Sequence, residues 1–176
     1  MRILRLIPIL LLCLLMGGCR KVPDGEHIQP GERMPEFKTY LVDGKNVSEA
    51  TLAGRPAVIA FFDTKCPDCR AELPEIEFLY RRLGEHISFL AVTRDEGAPE
   101  VMAFWDQNDY TMPLSAEGNR TVYNLFDRGS GSGVPQVYVF DEGGVLIRFF
   151  NDKSLLYADE FLTDIVPLVL PDLAEL

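Results

Sequence analysis

The run Ala57-Val58-Ile59-Ala60-Phe61-Phe62 constrains the fold more than any other stretch of the chain. It is bounded by the break Gly54-Arg55-Pro56 and by the loop Asp63-Thr64-Lys65. A continuous apolar run between such breaks reads as a strand buried on both faces. Such a strand needs sheet neighbours on either side and helices above and below. It therefore predicts an α/β sandwich, a mixed central sheet with helices on both faces.

The flanking segments supply those layers. A helix is expected from Cys66, with Pro67 at its first helical position, an apolar face of Leu73, Ile76, Leu79, Tyr80 and Leu83, a kink at Pro74 and an end at Gly84. Ile87 to Val92 reads as a second buried strand, Pro99 to Gln107 as a helix, Tyr110 to Leu114 as a short strand and Asn119 to Phe126 as a capped helix. Gln136 to Phe140 and Val145 to Phe150 flank the hairpin signal Asp141-Glu142-Gly143-Gly144, and Ser154 to Val166 forms a last helix disturbed by Pro167. Upstream, Phe37 to Val42, the turn Asp43-Gly44 and a segment to Leu52 make an N-terminal β extension. The one low-complexity stretch is Gly129-Ser130-Gly131-Ser132-Gly133, read as a flexible surface loop.

The N-terminus departs from this pattern. Arg2 and Arg5 precede an apolar run from Leu6 to Met16, then Gly17, Gly18 and Cys19. The run is shorter than the roughly 20 residues needed to span a bilayer and reads as an export signal. It resembles a bacterial lipoprotein signal, which implies removal of residues 1–18 with Cys13, and lipid on Cys19. The polar, turn-forming residues 19–33 read as a flexible tether outside the core, and residues 34–176 as the folded domain. With 27 Asp and Glu against 17 Lys and Arg the formal charge is −10, falling to −12 once Arg2 and Arg5 are removed. That balance repels phosphate backbones, so no nucleic-acid partner is expected.

The informative motif is Cys66-Pro67-Asp68-Cys69, placed where the buried strand delivers the chain to a helix start. Unpaired amides and the positive end of the helix dipole favour a thiolate on the first Cys, and the spacing brings the second sulfur within bonding reach. A structural zinc site would need partners, but only His27 and His86 are present and there is no second Cys pair, so no metal and no cofactor are expected. A purely structural disulfide is the competing reading. Against it, a loop this short closes little chain entropy.

At these residues the chain resembles the thioredoxin fold, and more narrowly the TlpA-like thiol-disulfide oxidoreductases of bacterial envelopes. The matching elements are Met34-Pro35-Glu36-Phe37, Asp43-Gly44-Lys45, the strand ending in Phe61-Phe62, Cys66-Pro67-Asp68-Cys69-Arg70 with Glu72-Leu73-Pro74, Gly133-Val134-Pro135, and Phe140-Asp141-Glu142-Gly143-Gly144. The resemblance implies that Cys66 attacks, Cys69 resolves, and Pro135 is cis and faces the redox-active pair. It also implies an active-site role for Glu72 and a substrate edge at Val134 and Pro135.

Three departures accompany these matches. Lys65 stands where the family places Trp, adding a positive charge beside the motif. Ala60 stands where thioredoxin has a buried Asp, so proton handling falls to Glu72, to another group or to water. The Gly-Ser run before Val134 is unusual. Pro67 and Asp68 lie between the sulfurs, and Asp68 disfavours the thiolate, which predicts a reducing pair.

The resemblance implies protein disulfides as substrates, an upstream thiol electron donor, and a monomer tethered through Cys19 on the extracytoplasmic face of a membrane. Three alternatives stay open. A peroxidase of the related family has Thr at the position of Asp63; a copper carrier has a longer Cys spacing and a downstream His; a non-catalytic binding module would carry the disulfide incidentally.

Overall fold

The computed structural model describes residues 26–118 and 120–173. The expected signal (1–18) and Cys19 lie outside the described residues, as does Asn119. Among the described residues no helix is long and apolar enough to cross a membrane.

A two-stranded hairpin, β1 (Lys38–Tyr40) and β2 (Asn46–Ser48), leads into the short helix α1 (Glu49–Leu52). The central elements follow in the order β3 (Ala57–Phe62), α2 (Pro67–Leu83), β4 (Ser88–Thr93), α3 (Ala98–Gln107), β5 (Leu114–Ser115), α4 (Thr121–Asp127), β6 (Gln136–Phe140) and β7 (Leu146–Asn151). The chain closes with α5 (Ala158–Glu160), a π-helical turn (Phe161–Ile165), α6 (Val166–Val169) and a 3-10 turn (Pro171–Leu173). The five-stranded sheet has the order β5-β4-β3-β6-β7, with β4 parallel to β3 and β5, and β6 antiparallel to β3 and β7. The predicted mixed α/β sandwich with an N-terminal β extension is therefore the observed architecture.

β3 shows why. All six of its residues are buried, and because side chains alternate along a strand they divide between two cores. Val58, Ala60 and Phe62 pack with α2, α3 and the C-terminal helices, whereas Ala57, Ile59 and Phe61 pack with Leu52, α4 and Ile28. The strand ends at the sheet edge where α2 begins, and this junction carries the Cys-x-x-C.

Several boundaries differ from the sequence reading, each for a local reason. The expected tether does not run to residue 33. Ile28 is fully buried, its N–H donates to the Phe126 carbonyl at 3.0 Å, and beside the Arg33–Val145 bridge the Gly31 N–H donates to the Leu146 carbonyl and the Leu146 N–H to the Glu32 carbonyl. Of the described residues assigned to the tether, 28–33 thus belong to the domain. The β5 strand is shorter than Tyr110 to Leu114 because the N–H groups of Thr111 and Met112 are taken by the Glu77 carboxylate rather than by β4. α4 begins at Thr121, after Arg120 in the left-handed region (φ 57°) and without a side-chain cap among the described residues; the Arg120 N–H is tied to the Arg94 carbonyl. The last helix starts at Ala158 rather than Ser154, since Leu156 and Ala158 donate their N–H groups to Glu72 and Glu75 of α2. Ahead of Pro167, the Val166 N–H reaches back to the Phe161 carbonyl, giving the π turn.

Candidate active site

β3 delivers Asp63, Thr64 and Lys65 into a turn closed by the Cys66 N–H donating to the Asp63 carbonyl at 3.1 Å. Cys66 is the N-cap of α2 and Pro67 opens the helix, where its missing N–H is no loss. The Cys66 sulfur accepts the Cys69 N–H at 3.3 Å, the amide that a Ser or Asp cap would take elsewhere. Cys66 is half-buried, while Cys69, one turn into the helix, is 1% exposed. Both are free thiols. Burial and the neighbouring Cys66 push the Cys69 thiol well above its ordinary pKa, and a hydrogen bond from the Asp63 backbone pulls it partly back. One sulfur is therefore reachable and helix-capping; the other is sheltered and protonated.

From the segment leading into the neighbouring strand β6, the Val134 carbonyl accepts the Cys66 S–H at 3.5 Å. The Val134–Pro135 peptide is cis, as the resemblance implied; Val134 is half-buried and Pro135 is buried. The Gly-Ser run before it lies at the surface, but Asp127 ties it down from beneath. The Asp127 carboxylate accepts from Ser130 Oγ (2.5 Å), Gln136 Nε2 (2.8 Å) and Tyr123 OH (3.0 Å). Gln136 also donates to the Gly133 carbonyl at 2.9 Å. Asp127 gave no sequence signal, because apart from Tyr123 on α4 its partners lie on a loop and a strand that only the fold brings over that helix.

The remaining expected site residues divide. Lys65 does not cover the thiol: its side chain is 86% exposed and its Nζ lies 3.9 Å from Glu96. Pro67 and Asp68 are exposed on the first turn of α2. Glu72 is 2% exposed, on the face it shares with Cys69, Leu73 and Ile76. Burial raises its pKa to about 7, despite the Leu156 N–H. Its spacing from Cys69 and Ile76 put it on that buried stripe, a signal available in the sequence.

Glu96, Asp63 and Arg94, to which the sequence reading gave no role, also frame the motif. Glu96 accepts the Thr64 N–H at 2.5 Å and its hydroxyl at 2.6 Å, fixing the loop before Cys66. Asp63 is buried and pairs through Oδ2 with Arg94 Nη2 at 2.5 Å. The one hint of Asp63 was a carboxylate directly after two buried phenylalanines.

Comparison with known proteins agrees with this geometry. The AhpC/TSA family pattern matches residues 30–149. The thioredoxin-like protein YneN of Bacillus subtilis is 28% identical over 124 residues, 68% of this chain and 69% of that protein. The thiol-disulfide oxidoreductase ResA of Bacillus cereus is 24% identical over 168 residues, 93% of this chain and 95% of its own length. Among solved structures, a thiol:disulfide interchange protein of the thioredoxin family from Chlorobium tepidum TLS superposes with a TM-score of 0.67 at 25% identity, covering 81% of this chain and 98% of that one. The helix-capping cysteine, the sheltered second cysteine and the facing cis-proline thus sit in a chain that belongs to the AhpC/TSA family, as a TlpA/ResA-like member of the thioredoxin superfamily.

Proposed function

We propose that this thiol-disulfide oxidoreductase is held to a membrane through lipid on Cys19 and reduces disulfides of extracytoplasmic proteins. The observation that carries the exchange chemistry is the asymmetry of the pair, Cys66 accessible at a helix N-cap and Cys69 buried one turn away. Cys66 thiolate attacks a partner disulfide, forming a mixed disulfide and releasing one partner sulfur as thiolate. Cys69 then attacks the Cys66 sulfur, closing the Cys66–Cys69 disulfide and expelling the second partner thiolate. An upstream thiol donor returns the pair to the dithiol. Val134 and Pro135 offer the substrate an edge: Pro135 has no N–H, and the Val134 carbonyl, which accepts the Cys66 S–H in the dithiol, is released to an extended segment once Cys66 is a thiolate. Burial raises the Glu72 pKa to about 7, and its Oε1 accepts the Leu156 N–H rather than facing either sulfur as a partner. At position 63, where peroxidase chemistry in the related family uses a hydroxyl, the chain has a carboxylate paired to Arg94, which favours exchange over peroxide reduction.

Reduction of a protein disulfide such as insulin by the reduced chain tests the activity. Cys66→Ser is expected to abolish it, and Cys69→Ser to accumulate mixed disulfides that identify partners in cells. Alkylation of the reduced chain should modify Cys66 first; preferential modification of Cys69 would reverse the assignment. Cys19→Ala should move the protein out of the membrane fraction, and retention there would refute the lipid anchor.

A further inference from the structure

The resolving step has an unsolved proton problem. Cys69 is 1% exposed and its thiol is held protonated by burial, so bulk water and buffer have poor access to it. Sending its proton to solvent would also leave a bare thiolate in a low-dielectric pocket, which is costly. A buried base that takes the proton leaves the pocket's charge unchanged, because one anion replaces another.

Asp63 has the features of that base. The carboxyl follows β3 directly and is 9% exposed. Its Oδ2 is committed to Arg94, and its Oδ1 is fully buried with no hydrogen-bond partner among the described residues. A buried carboxylate oxygen left without a donor is uncommon and calls for a reason. Asp63 is close enough to Cys69 for both its backbone N–H and its carboxylate charge to act on the Cys69 thiol. Burial raises the Asp63 pKa against the pull of Arg94, while Asp95 and Glu96 from the same β4–α3 loop raise it further and the Asp95 amide lowers it. Arg120 faces the carboxyl from the start of α4. Arg94 keeps the group ionisable through one oxygen and leaves the other free.

Building on the exchange reading above, we propose that Asp63 Oδ1 accepts the Cys69 thiol proton as Cys69 attacks the Cys66 mixed disulfide. In that step the Cys69 S–H bond breaks and its proton moves to Asp63. The Cys69 sulfur forms a bond to Cys66, the Cys66–partner bond breaks, and its electron pair leaves on the partner sulfur. Asp63 then loses its proton to water or to the departing thiolate. Cys69 and Cys66 are oxidised and the partner disulfide is reduced, with Asp63 unchanged over the cycle.

Stopped-flow reaction of the reduced full-length chain with one equivalent of 5,5′-dithiobis(2-nitrobenzoate) separates the two steps. A first release of thionitrobenzoate reports Cys66 attack, and a second reports resolution by Cys69. In Asp63→Asn the first phase should stay near the wild-type rate. The second should slow by roughly tenfold or more at pH 7, within the usual range for loss of an acid–base group. It should also rise about tenfold per pH unit, because hydroxide then supplies the base. Asp63→Glu should recover most of the rate. If Asp63→Asn does not fold, the wild-type profile still decides: a second phase independent of pH and buffer concentration between about pH 6.5 and 8.5 in both wild type and Glu72→Gln supports Asp63. A wild-type second phase climbing with hydroxide, an unchanged second phase in Asp63→Asn, or loss of the plateau in Glu72→Gln alone would overturn the proposal. Absence of the first phase in the wild type would overturn the exchange reading itself.

Discussion

The Leu156 backbone N–H donates to Glu72 Oε1 at 2.6 Å, joining α2 to the segment before the last helix across 84 residues of sequence. Both residues are buried, and burial raises the Glu72 pKa from its ordinary 4.5 to about 7. A carboxyl with a raised folded-state pKa favours the fold while protonated. Its contribution is full below the unfolded value and is lost as pH rises toward 7. The span corresponds to about 3 kcal/mol, at about 1.36 kcal/mol per pH unit. Glu72→Gln keeps an acceptor for Leu156 and removes the titration. Denaturant unfolding at about pH 4.5 and about pH 7.5 should show the variant gaining on wild type by up to that amount; parallel pH dependences would contradict the assignment.

Glu77 shows the opposite sign. Burial pushes its pKa up, but bonds from Arg81, the Thr111 hydroxyl and N–H, and the Met112 N–H outweigh it and hold the group below the ordinary value. Its stabilisation is present above the unfolded pKa and disappears as pH falls through the folded one. Glu77→Ala leaves the buried Met112 amide and the part-buried Thr111 amide without acceptors and is expected to cost about 2–3 kcal/mol at pH 7. The cost should shrink on acidification; a constant difference between pH 7 and pH 3 would refute the ionic part of the account.

Ile28 tests the domain boundary. It is fully buried against Phe126 and its neighbours, with its N–H bonded to the Phe126 carbonyl at 3.0 Å. Ile28→Ala should destabilise the chain by about 2–5 kcal/mol. A loss within about 0.5 kcal/mol, typical of a surface substitution, would return residues 28–33 to the tether.

Asp68 sets the redox poise in this account. It lies exposed on the first turn of α2, the helix whose N-terminus the Cys66 sulfur caps. The wild-type pair should be reducing, nearer about −270 mV than about −120 mV. Asp68→His removes the negative charge, stabilises the Cys66 thiolate of the reduced form and should raise the potential by up to about 30 mV. Equilibration with glutathione measures both values, and a shift to more negative potential would reverse the sign of the argument.

What the sequence determined by itself is what nearest neighbours along the chain can decide. The apolar run of β3, Pro67 at N1, and the turn residues of the β6–β7 hairpin are local, so strand, helix start and hairpin were legible, and with them the Cys-x-x-C at the junction. The resemblance added the cis Val134–Pro135 bond, which lies next to Cys66 only after the chain has crossed 68 residues.

Tertiary structure alone decided which carboxylates leave water. Glu77 and Asp127 look like ordinary solvated acids in sequence, because the default for Asp and Glu is exposure, and only the apolar neighbours of Asp63 and Glu72 hint at burial. Each is buried here because donors from other elements surround it: Arg94 for Asp63, Leu156 for Glu72, Thr111 and Met112 for Glu77, Gln136 for Asp127. Ile28 follows the same rule with the sign reversed, an apolar residue in polar surroundings that acquires its core only when α4 packs beside it. Local pattern fixes conformation residue by residue, whereas the solvation of a charge depends on every group the fold gathers around it.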